Sequence, residues 1–531
     1  MSKTQDKMLS EIERRRTFAI ISHPDAGKTT LTEKLLLFGG AIRLAGAVKG
    51  RKSQKTATSD WMEIEKQRGI SVTSSAMQFT YKDIKVNILD TPGHQDFSED
   101  TYRTLTAADC AVMLIDAAKG VEAQTKKLFA VCRMRGIPIF TFVNKMDREG
   151  REPLDLLEEL EEVLGIRSCP MNWPIGMGQD FKGIYDRNEN ELVLYRHGHY
   201  YEKDQVEVVD GNKEALVGLL GEDLYQKVMD DIELLDVAGD PFDMERVQKG
   251  ELTPVYFGSA INNFGVQTFL DHFLTLAPAP APRKSEKGPV EPTRPHFSGY
   301  VFKIQANMNP AHRDRIAFLR ICSGHFERGM AVSHVRTGKT IKLSQPQQFF
   351  AQEREIIDEA YPGDIIGLYD PGLFQIGDTL CEGEAFTFDE MPHFAPEHFS
   401  KVTVKDAMKY KQFHKGVDQL TEEGAIQVFK THGTGIEEMI LGVVGVLQYE
   451  VFEHRMKAEY GVDIALQRLT YELARWVDGP KEQVKKFLNG SNVIVLDKQE
   501  RVVALFQNEF GLRWAEDKYP DLRFVDSPTK L

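Results

Sequence analysis

The first half of the chain alternates short apolar runs with segments of helical periodicity. The apolar runs cover residues 17–21, 86–89, 111–115, 137–143 and 254–257. Runs that are apolar on both faces and separated by helical segments are typical of parallel strands covered by helices on each side. We therefore predict an α/β domain with a mostly parallel sheet over residues 1–280.

A long interval interrupts this series of strands. Asp147 and Gly258 stand 111 residues apart, which is far more than one crossover helix needs. We therefore predict an inserted subdomain at about 165–250. It contains His197 and His199, a pair that binds metal on one strand face or simply lies on a solvated strand, and no third ligand is apparent.

Beyond residue 281 the pattern changes to short strands parted by glycines. Apolar runs at 299–304, 315–321 and 364–368 have the glycine spacing of a small antiparallel barrel. From 391 onward strands mix with helices such as 446–458, which has an apolar face. We predict a β-barrel domain over 281–390 and an α+β domain over 391–531. No internal repeat of fixed period is found.

An alanine–proline segment separates the first two predicted domains. The sequence Ala277-Pro278-Ala279-Pro280-Ala281-Pro282-Arg283 favours an extended, semi-rigid chain, because proline fixes the backbone and removes hydrogen-bond donors. We interpret this segment as a linker between domains.

Composition narrows the class of protein. Apolar residues make up 41% and charged residues 27% of the chain, which is a globular balance. No window approaches the roughly 18 apolar residues of a membrane span, and the start lacks the apolar core of a secretory signal.

The net charge of −14 argues against a broadly basic surface, so neither DNA nor a membrane is expected as a partner. Five cysteines without a CxxC pair indicate buried or idle thiols in a reducing compartment, with the cytoplasm as the expected location.

A phosphate-binding loop is predicted directly after the first strand. The sequence Ser22-His23-Pro24-Asp25-Ala26-Gly27-Lys28-Thr29 has P-loop spacing, except that Ser22 replaces the first glycine. In such a loop, backbone N–H groups and the helix N-terminus converge on phosphate oxygens. Lys28 is placed to reach the β- and γ-phosphates, and the Thr29 hydroxyl is placed to bind Mg²⁺.

Three later motifs each follow a predicted strand. Asp90-Thr91-Pro92-Gly93 supplies a carboxylate for water-bound magnesium and a glycine N–H that can sense a γ-phosphate. Asn144-Lys145-Met146-Asp147 supplies a carboxylate matching the N1–H and N2–H₂ donors of guanine, which adenine lacks. Gly258-Ser259-Ala260 supplies backbone N–H groups for guanine O6. Because the carboxyl ends of parallel strands meet at one edge, these motifs predict a Mg²⁺-dependent guanine-nucleotide site.

Two segments are predicted to change with the bound nucleotide. Arg68-Gly69-Ile70-Ser71-Val72-Thr73 lies between the P-loop and Asp90, after a basic stretch at 43–55. A hydroxyl here can ligate Mg²⁺ when a γ-phosphate is present, and Gly93 would order the second segment. Hydrolysis would release both segments.

Taken in order, these motifs resemble those of the translational GTPases. His94 directly after Asp90-Thr91-Pro92-Gly93, in place of the glutamine of small signalling GTPases, is the mark of that family. Other phrases are similar to those of the bacterial class II peptide chain release factors. They occupy residues 18–30, 59–63, 96–103, 302–308 and 444–448.

The resemblance implies a ribosome-dependent GTPase of translation termination that promotes dissociation of class I release factors after peptide release. It implies GTP, GDP and Mg²⁺ as ligands, with an α/β P-loop domain, a β-barrel and an α+β domain. The implied partners are the ribosome, through its RNA and proteins, and class I peptide chain release factors. We expect a cytoplasmic protein that is monomeric off the ribosome.

By position, the resemblance makes His94 the residue that orients the attacking water. It places Thr29 and Ser71 at Mg²⁺, with Asp90 acting through water, and Asp25 beside the phosphates; Thr73 is an alternative to Ser71. The residues expected to bind GTP are Ser22, His23, Pro24, Asp25, Ala26, Gly27, Lys28, Thr29, Thr30, Asp90, Thr91, Pro92, Gly93, His94, Asn144, Lys145, Met146, Asp147, Ser259 and Ala260.

Other interpretations remain open at this point. Another translational GTPase, such as a translocase, would use C-terminal domains beyond the single α+β domain predicted here. A GTP-switched regulator would act off the ribosome. The chain contains no Gly-Gly-Gln, so it is not expected to cleave peptidyl-tRNA itself. The basic residues 14–16 and 43–55 either contact ribosomal RNA or form a solvated face.

Overall fold

The computed structural model describes residues 3–42, 65, 71–195, 206–209, 213–307, 315–350, 353–391, 393–431, 438–488 and 493–528. The basic stretch 43–55, the segment 68–70 and the His197/His199 pair lie outside these ranges. No helix within them is long and apolar enough to cross a membrane. All five cysteines are buried free thiols, as predicted, and burial raises the pKa of Cys132 and Cys322 to about 12.

A seven-stranded sheet builds the first domain. Its strands, numbered with all others in chain order, are β1 (Arg15–Ser22), β2 (Ser75–Tyr81), β3 (Ile84–Asp90), β4 (Cys110–Asp116), β5 (Ile139–Asn144), β6 (Arg167–Pro170) and β11 (Leu252–Phe257). They lie in the order β2-β3-β1-β4-β5-β11-β6, and every pair is parallel except β2 with β3. The order reverses at β1, and such a switch point leaves a crevice at the carboxyl ends of the strands. The predicted α/β class is confirmed.

Helices pack around this sheet, and residues in the sequence mark where some of them begin and end. They are α1 (Lys3–Glu13), α2 (Lys28–Phe38), α3 (Ser98–Thr106), α4 (Ala123–Met134), α5 (Pro153–Leu164) and α9 (Val266–Leu276). Helix α5 begins with proline in its first turn and ends at Gly165, which has a φ of 65°. Phe273 of α9 packs edge-on against Phe18 and Phe140, with ring centroids 4.7 and 5.0 Å apart, and so fills the core on that face of the sheet.

The predicted insertion lies between β6 and β11. It contains β7 (Asn172–Ile175), β8 (Gly183–Asp186), β9 (Glu191–Tyr195) and β10 (Val206–Val209), followed by α6 (Lys213–Leu220), α7 (Glu222–Ala238) and α8 (Met244–Gln248). The strands form an antiparallel sheet in the order β10-β9-β8-β7. Buried Trp173 of β7 donates its Nε1–H to Asp231 of α7 at 3.2 Å. Strand β6 belongs to the main sheet, so the insertion begins after residue 170 rather than at 165.

The second domain is antiparallel, as predicted. A hairpin of β12 (Arg283–Ser285) and β13 (Gly288–Val290) follows the alanine–proline segment. The barrel strands are β14 (Ser298–Ala306), β15 (Arg315–Ser323), β16 (Phe326–Glu327), β17 (Ala331–His334), β18 (Lys339–Lys342), β19 (Pro346–Phe350), β20 (Glu353–Ile356), β21 (Glu359–Ala360), β22 (Ile365–Tyr369) and β23 (Thr379–Cys381). The main sheet runs β18-β17-β23-β14-β15-β22-β19-β20, and β16 pairs with β21.

The C-terminal region is α+β, as predicted, but it contains two units of the same topology. The first consists of β24 (His398–Val404), α10 (Tyr410–Glu422), β25 (Gln427–Thr431), β26 (Met439–Val443), α11 (Leu447–Tyr460) and β27 (Ile464–Arg468). The second consists of β28 (Leu473–Asp478), α12 (Lys481–Leu488), β29 (Val493–Leu496), β30 (Val502–Phe506), α13 (Glu509–Lys518) and β31 (Arg523–Val525). Both are βαββαβ units, and β25 pairs with β29 to make one sheet. Repeated topology needs no repeated residues, so the sequence carries no repeat of fixed period.

Buried charges join the first domain to the barrel. The Asp109 carboxylate accepts from Arg283 at 2.7 Å and from Arg320 at 2.6 Å. Arg15 is fully buried and donates to Asp364 at 2.8 Å. Burial lowers the pKa of Arg15, but the charge of Asp364 and the hydrogen bonds of the pair raise it above its ordinary value overall. These contacts hold the barrel against the amino-terminal end of the first sheet.

The basic residues 14–16 make their hydrogen bonds within the protein. Arg15 is inside the protein, Arg14 donates to the Asp83 carbonyl at 2.8 Å, and Arg16 donates to the Leu274 carbonyl at 3.1 Å. These guanidinium groups are engaged within the protein, so RNA contact by this run is not supported. The run is structural.

We expect Asp109→Ala to lower the free energy of unfolding by about 3–5 kcal/mol, because the buried guanidinium of Arg320 and the half-buried one of Arg283 would each lose a charged acceptor. Thermal and urea unfolding would measure the change. The control is Asp358→Ala, whose carboxylate pairs with Arg328 at the surface, with 84% and 48% of the side chains exposed. A loss in Asp109→Ala no larger than in this control would show that the buried pairs add no net stability.

Candidate functional site

The loop between β1 and α2 turns sharply at the carboxyl edge of the sheet. Asp25 and Gly27 have φ angles of 66° and 102°, and a Cβ on Gly27 would lie 2.3 Å from Asn144 Nδ2, so glycine is required there. Ser22 ends β1 as extended strand, which explains why it can stand in the place of a glycine. The first helical bond of α2 runs from Leu31 N to the Gly27 carbonyl. The N–H groups of residues 28–30 therefore project from the helix start, where anions bind.

The P-loop lysine reaches the end of β3. Lys28 Nζ donates to Asp90 Oδ1 at 2.6 Å, and the Thr32 hydroxyl donates to the same oxygen at 3.3 Å. Both Lys28 and Asp90 are buried. The two residues that the sequence assigned to phosphate and to magnesium thus meet at one corner, where a phosphate would compete with Asp90 for the lysine.

Asn144 joins the P-loop to the last motif. Its Nδ2 donates to the Ala26 carbonyl and its Oδ1 accepts from the Ala260 N–H, both at 2.8 Å. Because both bonds are buried, the Asn144 side chain fixes the distance between the P-loop and the motif at 258–260. Met146 is also buried, and its N–H donates to the Gly258 carbonyl at 3.1 Å. Met146 therefore supports the loop from inside.

Lys145 lies across the P-loop. It has a φ of 73°, and its Nζ donates to the Asp25 carbonyl and to Asp116 Oδ2, both at 2.6 Å. Asp116 is the last residue of β4 and was not among the predicted site residues. The Asp116 carboxylate holds the Lys145 side chain across the P-loop.

The residues of the last motif are hydrogen-bonded within the protein. The Ser259 hydroxyl donates to Asp147 Oδ1 at 2.5 Å. The Ser259 N–H donates to the Phe264 carbonyl at 2.9 Å, and the Ala260 N–H donates to Asn144. Both N–H groups thus have protein acceptors in this structure, and contact of this motif with guanine O6 stays a prediction. The clear function of Ser259 is to orient the Asp147 carboxylate.

The segment after β3 packs against the P-loop. The Thr91 hydroxyl donates to a backbone carbonyl of β1 at 2.7 Å, and a Cβ on Gly93 would lie 3.5 Å from Pro24 Cα. His94 comes next, with 36% of its side chain exposed, and its Nδ1 accepts from the Asp96 N–H at 3.2 Å. The histidine is thus held at the same edge of the sheet as the P-loop.

Three further expected residues have supporting positions. His23 Nε2 lies 3.4 Å from Glu122 Oε1. Pro92 is buried, and Thr30 is half-buried in the first turn of α2. These positions place the three residues around the P-loop.

The residues expected to hold magnesium carry suitable oxygens. Thr29 is half-buried in the first turn of α2, and Asp90 ends β3 beside Lys28. Hydroxyl and carboxylate oxygens are the ligands that Mg²⁺ takes, so this donor set fits that ion. Ser71 is buried, and the N–H of neighbouring Thr73 donates to Glu65; the assignment of Ser71 over Thr73 stays a prediction. Elsewhere in the described ranges, three or more His, Cys, Asp or Glu residues do not cluster as a metal site.

Three known families match successive parts of the chain. Residues 13–279 match the Elongation factor Tu GTP binding domain, and residues 296–383 match Elongation factor G domain 2. Residues 388–516 match the family described as Class II release factor RF3, C-terminal domain. The first match covers the nucleotide motifs, and the third covers the first βαββαβ unit and most of the second, ending within α13.

Curated relatives match nearly the whole chain. A peptide chain release factor 3 from Symbiobacterium thermophilum is 63% identical over 520 residues, which are 98% of this chain and 98% of the relative. Peptide chain release factors 3 from Enterococcus faecalis and Listeria monocytogenes are each 58% identical, over 96% and 97% of this chain and 97% and 98% of those relatives. The chain belongs to the peptide chain release factor 3 family.

The fold extends beyond this family. A crystal structure of a protein from Thermus thermophilus superposes with a TM-score of 0.70 at 22% identity, covering 91% of this chain and 72% of that chain. At this identity the likeness concerns the fold alone. It supports the predicted sequence of P-loop domain, barrel and α+β region.

As a member of the release factor 3 family, the chain is a GTPase of translation termination that binds guanine nucleotide and interacts with the ribosome. The predicted enzyme class and the predicted role in termination are confirmed. The two alternatives, a translocase and a regulator acting off the ribosome, are not favoured.

We expect Asn144→Ala to weaken the binding of GTP and of GDP by about 10–100-fold each, because leaving buried groups unpaired costs on the order of 1–3 kcal/mol. The loss should be similar for both nucleotides, since the bonds of Asn144 hold the loop rather than the γ-phosphate. Titration with a fluorescent guanine nucleotide would measure it, with Asn188→Ala on the inserted subdomain as the control. Unchanged affinity in a folded Asn144→Ala protein would contradict this role.

Proposed function

We propose that this release factor 3 family member uses GTP to speed the departure of class I release factors from the ribosome after the peptide has been freed. The observation that carries the proposal is identity of 63% with a peptide chain release factor 3 over 98% of both chains. The match of residues 388–516 to the class II release factor family gives further support.

The base is selected by Asp147. Its carboxylate, oriented by the Ser259 hydroxyl, accepts from the N1–H and N2–H₂ groups of guanine, while Lys145 covers the site from the P-loop side. Asn144 keeps this end at a constant distance from the phosphates. The P-loop, residues 22–30, binds the phosphates through backbone N–H groups, among them those of residues 28–30 at the start of α2.

The phosphate end uses Lys28 and a magnesium ion. Lys28, which donates to Asp90 in this structure, donates to phosphate oxygens when nucleotide binds. The hydroxyls of Thr29 and Ser71 would hold Mg²⁺, with Asp90 acting through water. The ion, when bound, neutralises charge on the β- and γ-phosphates.

His94 orients the attacking water. Its Nδ1 accepts from the Asp96 N–H, so the proton of the neutral ring belongs on Nε2, which is left to hold the water. Hydrolysis by the chain alone is slow, and the ribosome accelerates it by completing the position of this residue. The protein is cytoplasmic and is a monomer off the ribosome.

We expect a labelled class I release factor to leave post-hydrolysis termination ribosomes faster with this protein and GTP than with GDP or without nucleotide. His94→Ala should bind GTP normally but lower ribosome-stimulated hydrolysis by about 10²–10⁴-fold, the range for a positioned proton-transfer or water-orienting group. His325→Ala, a barrel histidine stacked on Tyr361, is the control and should keep full turnover.

Two results would count against the proposal. An unchanged departure rate in a protein that still hydrolyses GTP on ribosomes would remove the role in factor departure and leave a translocase to be tested. Full hydrolysis without ribosomes would favour the off-ribosome regulator instead.

A further inference from the structure

Asp96 connects His94 to the C-terminal region. On one side, the Asp96 N–H donates to His94 Nδ1 at 3.2 Å, and Asp96 Oδ1 lies 3.3 Å from the same nitrogen. His94 thereby caps the short 3₁₀ turn Gln95–Phe97. On the other side, Asp96 Oδ2 accepts the N–H of Leu447, the first residue of α11, at 2.7 Å. One residue therefore touches both the proposed water-orienting histidine and a helix 351 residues later in the chain.

The start of α11 is built to receive this carboxylate. The first N–H groups of a helix have no acceptor in their own helix and lie at the positive end of its dipole, so a carboxylate stabilises them. The side chain of Gln448 turns back and accepts from the N–H groups of Val444 and Gly445 at 2.8 and 3.0 Å. That contact fixes the turn before the helix and leaves the Leu447 N–H to Asp96. Asp96 thus caps α11 from another domain.

Gly445 makes the close approach possible. A Cβ atom built on Gly445 would lie 2.0 Å from Asp96 Cγ, 2.3 Å from its Cβ and 2.5 Å from its Oδ1. Gly445 does not have a positive φ, so alanine is compatible with its backbone, and the three atoms nearest to the added Cβ all belong to Asp96. A single methyl group at this position, on the side of α11, therefore disturbs the contact with Asp96 without a substitution in the first domain.

Apolar contacts accompany the hydrogen bond. Val72, next to Ser71, and Phe97, at the end of the turn, pack together against Val451 of α11, with Leu447 alongside. The two segments expected to respond to the nucleotide therefore both touch α11. This cluster is separate from the main cores, and a cavity lined by Thr73, Gln305 and other residues borders it.

We propose that Asp96 is a positioning residue for hydrolysis. Its bond to the start of α11 holds the turn at 95–97, and through it holds His94 in the orientation used to place water. Separation of α11 from this turn releases His94 and slows the reaction, because a displacement of about 1 Å of a catalytic group can cost on the order of 10²-fold in rate. This role of Asp96 rests on the proposed role of His94.

The test compares Asp96→Ala, Asp96→Asn and Gly445→Ala in ribosome-stimulated single-turnover GTP hydrolysis by the full chain. We expect Asp96→Ala and Gly445→Ala to lower the turnover rate by about 10–100-fold. The dissociation constant for GTP and the ribosome concentration for half-maximal rate should stay within about twofold, since neither contact binds substrate. Asp96→Asn keeps an oxygen for the Leu447 N–H and should retain most of the rate.

Two further variants separate positioning from general damage. Gly511→Ala in α13 is the matched control, because a Cβ there meets its nearest atoms at 3.7 and 3.8 Å; it should have the rate of the unaltered protein. The double variant His94→Ala/Gly445→Ala should be no slower than His94→Ala alone, because Gly445 acts through His94. Unfolding midpoints are measured first, and if Gly445→Ala does not fold, the two Asp96 variants decide.

The outcomes distinguish this inference from the proposed function. If His94→Ala retains full turnover, the catalytic role of His94 is wrong and the positioning role of Asp96 falls with it. If His94→Ala is slow but Asp96→Ala and Gly445→Ala keep the unaltered rate, only the positioning role is overturned. Independent, multiplying losses in the double variant would also overturn it.

Discussion

The carboxylate of Asp100 is the contact on which the arrangement around the nucleotide site depends. It accepts from the N–H and the hydroxyl of Ser74 at 2.6 and 2.7 Å and lies 3.5 Å from Lys303 Nζ of the barrel. Burial would raise the pKa of Asp100, but the charge of Lys303 and the bonds from Ser74 hold it below its ordinary value. Lys303 also donates to the Ser74 carbonyl. Helix α3, directly after the His94 segment, thus ties the chain that follows Ser71 to the second domain.

A second set of charges continues this junction into the C-terminal region. Arg455 of α11 pairs with Glu423 and Glu459, and Glu423 accepts the Ala306 N–H of the barrel at 3.1 Å. Burial lowers the pKa of Arg455, but the two carboxylates raise it well above its ordinary value. Removing one partner from such a buried set of charges costs free energy. The C-terminal region is therefore expected to be either docked on the barrel or separated from it, rather than to slide gradually. A GTPase that signals its nucleotide state to a distant domain needs contacts of this two-state kind.

The nucleotide motifs were predictable because parallel strands end at one edge of their sheet, which brings Lys28, Asp90 and Asn144 together whatever the rest of the chain does. The long-range partners were not predictable, because tertiary packing selects them. Arg15 has the sequence context of an RNA-binding residue, yet Asp364 of the barrel lies opposite and buries it. The motif at 258–260 indicated backbone N–H donors for guanine. In this structure Asn144 and the Phe264 carbonyl accept hydrogen bonds from two of these N–H groups. The contact between Asp96 and α11 has no local signal at all.

The distance between the first domain and the C-terminal region should be measured as the nucleotide changes. All five native cysteines are buried, so spin labels on Lys126→Cys in α4 and Lys485→Cys in α12, both exposed, report this distance selectively. Communication through Asp96 predicts different distance distributions with GDP and with a slowly hydrolysed GTP analogue, and loss of that difference when Gly445→Ala is added. Identical distributions with both nucleotides in the protein without Gly445→Ala would contradict communication between the nucleotide site and α11.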